Sequence, residues 1–216
     1  MDTQKFIVRV GAIAGAVGAL ILAAMIAVGT GAGVDLAKTQ SLVPAIAQEA
    51  FKMQAGAIQT VMVLDDLFVV AYVVTFIALA TYVRERAGWL ALIALVFALI
   101  TGALDFFENS ITLALVATAH AGIAFDPTTL FAMNIVTQMK YLATNIAVGI
   151  FGIALWNSPA ISDRGLGALL ILFAPINVIA FVNPAFAVVR IFAMLGLLVV
   201  GAIVLGQTVA RTARPQ

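Results

Sequence analysis

Six stretches of this chain are long and apolar enough to cross a lipid bilayer: roughly residues 6–28, 58–82, 89–116, 129–156, 166–182 and 186–208. A crossing needs about 20 apolar residues at about 1.5 Å of helical rise each. Hydrocarbon offers backbone amides no partner, so a spanning segment must be a helix or part of a closed barrel. Barrel strands need only about 9–11 residues, far fewer than these runs supply. The expected fold is therefore all-α: an integral membrane bundle of six transmembrane helices, forming a single domain over residues 1–216. Composition agrees. The chain is 64% hydrophobic and 10% charged, against about 25% charged in soluble domains.

The same figures exclude several function classes. A net charge of +1 leaves no basic footprint for nucleic acid. The chain has no cysteine, so there are no disulfides, thiol nucleophiles or cysteine-ligated metals. One histidine, His120, cannot build a histidine-rich metal site. It lies at the outer end of the third span and reads as a loop or interface residue.

The first run, 6–28, follows a mildly basic start and could pass for a signal peptide. Its length makes it a first span that stays. Orientation follows from Lys and Arg near the span ends. Lys5, Arg9, Arg84, Arg86, Arg164, Arg211 and Arg214 fall on one side, Lys38 and Lys52 on the other. Both termini are expected to be cytoplasmic, in the inner membrane of a bacterium. Asp126-Pro127 reads as an N-cap followed by a first-turn proline for the fourth span. Asn183-Pro184 reads the same way for the sixth, and Pro175 sits inside the fifth. Gly11 and Gly15 match a close-packing spacing, best read as contact within the bundle.

The first outer loop has a pattern of its own. Over residues 42–54, Val43, Ile46, Ala47, Ala50 and Met53 share one helical face, while Gln48, Glu49 and Lys52 share the other. Ser41 can cap, and Pro44 falls in the first turn. This predicts a short interfacial helix lying on the outer leaflet.

Ionisable groups inside a span are costly, avoid lipid and often mark function. Asp65 and Asp66 lie in the second span. Asp105, Glu108 and Asn109 lie within about one turn of the third. Asn134, Gln138, Lys140 and Asn145 lie in the fourth, Asn177 in the fifth and Arg190 in the sixth. Rise per residue puts Asp65 about 9 Å and Asp105 about 6 Å below the outer boundary, with Lys140 about 13 Å in and Arg190 about 6 Å in. Four spans thus carry ionisable groups at similar depth in the outer half. Asp105, Glu108 and Asn109 share one face. Asn134, Gln138, Tyr141 and Asn145 form a second polar stripe, with Lys140 at its margin. Asp65 and Asp66 stand about 100° apart, so both are not expected to reach one spot.

Fully ionised, the cluster carries four negative and two positive charges. Low dielectric opposes that excess, so a proton, a cation or entering water must relieve it. The alternative is a purely ordering network, with Lys140 on Asp105 or Glu108 and Arg190 on Asp65 or Asp66. Structural ion pairs also produce such clusters.

Three pieces occur in order: Asp65-x-x-Phe68-x-x-x-Tyr72, then Asp105-x-x-Glu108-Asn109, then Lys140. Together they resemble the signature of an uncharacterised family of small bacterial polytopic membrane proteins. The resemblance covers about residues 59–145. It implies that Asp65, rather than Asp66, faces inward, and it carries no activity with it.

The expected site therefore comprises Asp65, Tyr72, Asp105, Glu108, Asn109, Lys140, Asn145 and Arg190, binding or passing a small cationic ligand, a proton or a lipid head group. No metal cage is expected, because Lys140 and Arg190 stand among the acids, and no cofactor is named by the pattern. An accessory subunit of a larger membrane complex is the second reading. A lipid-modifying enzyme is the third, without any Ser-His-Asp set, histidine cluster or phosphate loop to support it. Membrane lipids, and other membrane subunits under the second reading, are the expected partners. Because the chain has no cysteine of its own, one cysteine added at the C-terminus gives a clean topology test. It should resist an impermeant thiol reagent in intact cells and react after lysis. Ready labelling of intact cells would reverse the orientation.

Overall fold

Backbone amides in lipid can bond only within their own chain, and all six expected crossings are helices. The structure, a computed structural model, describes residues 3–183 and 186–212. Its helices run α1 (Thr3–Gly31), α2 (Leu36–Thr39), α3 (Pro44–Met53), α4 (Ala55–Ala87), α5 (Trp89–His120), α6 (Pro127–Trp156), α7 (Ile161–Val182) and α8 (Phe186–Thr212). Six of them, all but α2 and α3, are long and apolar enough to span. The chain is thus a multi-pass membrane protein of all-α class. Pro184 and Arg214, used above for a helix start and for orientation, lie outside the described residues, as does the side chain of Arg211.

The helices overrun the expected spans. α4 has 33 residues, or about 50 Å of rise against about 30 Å of hydrocarbon. Helix hydrogen bonds remain favourable past the apolar boundary, so a hydropathy limit marks where lipid ends, not where the helix does. The connection expected over residues 83–88 shrinks accordingly to Gly88 alone, between Ala87 and Trp89. Gly88 turns the chain at φ 56° and ψ −126°, a backbone region that side chains strongly disfavour.

Each spanning helix packs on its neighbour in chain order, and α8 returns to α1, closing a ring. α4 also meets α6 and α8 across that ring. The end that holds α2 and α3 is the cap end; the opposite end holds the start of α1. A dry cluster near that start joins Val8, Val83, Leu155, Leu166 and Leu205. Down α4, Phe68, Tyr72 and Phe76 contact edge to face at 5.3 and 6.0 Å. Phe76 then stacks on Phe151 of α6 at 5.8 Å.

α3 forms where the apolar periodicity places it, yet with a rotated face. Ala47, Ala50 and Phe51 are buried, and Phe51 meets Phe125 edge to face at 5.6 Å. Leu42, Val43, Ile46 and Met53 stay exposed. The largest ring decides which face goes inward, and the sequence reading left Phe51 out of the face. Ser41 does not cap α3. Its Oγ accepts from Val43 N at 3.2 Å, and Val43 is the N-cap. Two glutamines fasten α3 instead. Gln48 donates to Ile123 O at 2.9 Å and accepts from Phe125 N at 3.3 Å. Gln54 donates to Gly33 O at 2.9 Å and accepts from Asp35 N at 3.3 Å. At the start of α2, the Lys38 backbone N–H bonds the Asp35 carboxylate and holds that carboxyl below its ordinary range. Asp126 does cap α6, accepting from Thr128 N at 3.0 Å with Pro127 following.

Small residues let the ring close. Gly11, Gly15 and Gly18 of α1 face Ala78, Ala202 and Ala71 of the neighbouring helices, so this spacing serves contact inside the bundle. Gly152 and Gly167 bring α6 and α7 backbone to backbone: a Cβ on Gly167 would lie 2.7 Å from Trp156 N and 2.8 Å from Gly152 O. Overpacking costs about 1–3 kcal/mol. Gly167→Ala should therefore lower the unfolding temperature in detergent, and Gly11→Val should do the same. Gly29→Ala, where nothing lies within 4 Å, should leave it unchanged or slightly raised.

Candidate functional site

The polar residues of α4, α5 and α6 converge because antiparallel packing brings equal depths together. Lys140 of α6 places its Nζ 2.8 Å from Asp105 Oδ1 and 2.6 Å from Glu108 Oε2. It donates a well-aligned hydrogen bond to Asp105, while Glu108 is held by charge proximity. These side chains are 12%, 11% and 17% exposed, so little solvent screens them. Tyr72 of α4 donates to the other oxygen, Asp105 Oδ2, at 2.9 Å. One turn toward the terminal end, Thr144 and Thr101 meet at 3.3 Å and each bonds a carbonyl of its own helix.

One turn toward the cap end, Asn109 Nδ2 donates to both Asp65 Oδ2 and Asp66 Oδ1, each at 2.9 Å. The expectation that these two carboxylates cannot share a spot is corrected here. A rotation of about 100° around the helix axis between neighbouring side chains excludes a common point on α4's own surface, but an amide arriving from α5 sits between them. Both carboxylates, not Asp65 alone, enter the network.

On α6 the inward face is also turned from the expected one. Lys140 and Thr144 point at α5, and Met133 takes a contact from Thr112. Asn134 and Gln138 bond each other at 2.7 Å, with Gln138 exposed. Lys140 is thus central to the buried polar line, not marginal to a stripe. Asn145 belongs to another contact. Its Oδ1 accepts from Asn177 of α7 at 2.9 Å, and Asn177 is fully buried with its own Oδ1 unpartnered.

Arg190 does not reach Asp65 or Asp66. Its guanidinium lies 4.3 Å from the Tyr141 ring centroid, with the Lys140 ammonium 5.0 Å from the same ring. Depth comparison sets the height of a residue and leaves its bearing around the helix open. Among the described residues, no carboxylate lies within ion-pair distance of Arg190. His120 is exposed at the end of α5.

A cleft of about 100 Å³ descends from the cap end to Glu108. Gln40, Phe51 of α3, Ile58 of α4, Thr112 and Met133 line it together with Glu108. A water needs about 10–15 Å³ of such space, so the cleft has room for several waters or a small ion. Pockets for drug-sized ligands begin at about 300 Å³.

A second polar knot, missed in the sequence, closes the terminal end. Asp163 of α7 is 1% exposed. Its Oδ2 accepts from Tyr82 at 2.8 Å, Arg86 at 2.8 Å and Ser158 at 2.6 Å. The Arg86 guanidinium also covers the Tyr82 ring at 4.9 Å. Every member of this knot has a partner, and it ties α4 to α7. Among the described residues, no group of three or more metal-binding side chains is present. No family model, curated protein or solved structure matches the chain.

Asn109→Ala removes the shared donor of two neighbouring carboxylates. A stranded buried polar group costs about 1–3 kcal/mol, so the variant should lose stability in a thermal scan. Asn109→Asp, which adds a third carboxylate beside them, should lose more. Unchanged stability in both would mean that Asp65 and Asp66 stand in water.

Proposed function

We propose that this multi-pass membrane protein binds a small cation or a proton through the cleft that ends at Glu108. The observation that carries the reading is the charge ratio. Asp65, Asp66, Asp105 and Glu108 surround Asn109 and one ammonium, Lys140, and Arg190 stands away on Tyr141. Excess carboxylate charge in low dielectric favours uptake of positive charge. The cleft supplies a route, and its volume suits an ion or water better than a bulky head group. Toward the terminal end the stacked Phe76 and Phe151 and the dry cluster below them fill the core. That packing supports binding from the cap end over free passage through the ring. The Lys and Arg bias supports cytoplasmic termini in a bacterial inner membrane, which would place the cleft on the outer face. The likeness to the small-membrane-protein signature belongs to the same reading, since its residues coincide with the cluster.

One observation favours a second reading, an ordering network in an accessory subunit: each of the four acids has a partner within the bundle. Thermal stability in detergent separates the two. Breaking a buried pair costs about 3–5 kcal/mol by stranding the other charge. In a pure network, Lys140→Met and Glu108→Gln should each destabilise strongly, and the double variant should recover part of the loss. In a cation site, Glu108→Gln alone should be tolerated or stabilise the empty protein. Stabilisation of the wild type by added small cations should then vanish in that variant. Strong loss in both single variants with rescue in the double sinks the binding-site reading.

A further inference from the structure

We propose that Arg190, backed by the ring of Tyr141, is a separate binding point for a phosphate-bearing anion. This does not rest on the cation site. It rests on a guanidinium in a spanning helix with no carboxylate at ion-pair distance among the described residues. A charge within a span is costly unless it finds a partner or reaches the interface. The four acids at similar depth are engaged elsewhere: Asp105 and Glu108 by Lys140, Asp65 and Asp66 by Asn109. No carboxylate among the described residues lies within ion-pair distance of Arg190. Lys140, on the same ring, is already matched by Asp105 and Glu108.

The geometry also says what kind of anion fits. The Arg190 Cζ lies over the Tyr141 ring, 4.3 Å from its centroid, a contact that holds the guanidinium in place. A guanidinium over a ring keeps N–H groups for other acceptors, and two parallel N–H groups match two oxygens of a phosphate. Arg190 is only partly buried, so a ligand can reach it. It lies in the second turn of α8, which begins at Phe186, about 6 Å along the helix. Phe186, Val188, Val189 and Phe192 around it are exposed and apolar, as acyl chains beside a phosphate would require. Phospholipid head groups and free phosphate share this chemistry.

The test uses the full-length protein in neutral detergent. Native mass spectrometry would count bound phosphatidylglycerol against a neutral diacylglycerol, and a parallel thermal scan would use inorganic phosphate. Wild type should retain the phospholipid preferentially. Arg190→Gln should cut retention about tenfold or more, the worth of one charge-assisted hydrogen bond, and Arg190→Lys should fall between. Stabilisation by inorganic phosphate without lipid retention, lost in Arg190→Gln, supports the same site with free phosphate as its source. Wild type with no preference and no phosphate response overturns the proposal, whether or not the variants fold. Equal retention by Arg190→Gln overturns it as well.

Discussion

The Lys140 ammonium between Asp105 and Glu108 is the contact around which the middle of this bundle is arranged. Lipid gives α5 and α6 no hydrophobic reason to prefer one another, because acyl chains are as apolar as leucine. A charge pair 2.6–2.8 Å apart does give such a reason, and it also fixes register. Sliding α6 by one turn would leave the ammonium facing the wrong level of α5. Tyr72 then brings α4 to the same carboxylate, so three helices meet on one aspartate. The glycines of α1, α6 and α7 act differently. They fix how closely helices approach and leave open which residues must face each other.

The two ends of the ring therefore differ in kind. Toward the cap, carboxylates, an amide and an ammonium share a bundle interior reached by a cleft. Toward the termini, aromatic stacking and aliphatic packing fill the core, and each side chain of the Asp163 knot has a partner. The polar cluster is thus reached at one end by a cleft and closed at the other by apolar packing. A through-going pore would need polar groups along its whole length.

Much of the fold was legible because hydropathy and helix length are one-dimensional quantities. The six crossings, the Asp126 cap and the level of the acids could all be read along the chain. Bearing around each helix could not. A soluble helix advertises its inner face by contrast with its polar outer face, but here both faces are apolar, since one meets lipid and the other meets protein. Residue spacing alone accordingly leaves Lys140 at the edge of a stripe, lets Arg190 pair with Asp65 or Asp66, and separates Asp65 from Asp66, where the structure has Lys140 central, Arg190 on Tyr141 and both aspartates on Asn109. α3 was turned because Phe51, buried against Phe125, was not counted in its face. Asp163 escaped for another reason. It precedes the apolar run of its helix and so never counted as an intramembrane charge, although Ser158 and the basic end of α4 were available to meet it.

The single-residue reversal at Gly88 has a bearing on how the protein is made. It joins α4 and α5 into one hairpin that carries all four acids of the cluster, while their cation lies on the following helix. Ribosomal synthesis is directional, so the hairpin exists in full before Lys140 does. A hairpin with carboxylates near its far end and no counter-charge is a poor resident of lipid on its own. The arrival of α6 is then more than the addition of a neighbour: it is the step at which the preceding pair of helices becomes compatible with its solvent.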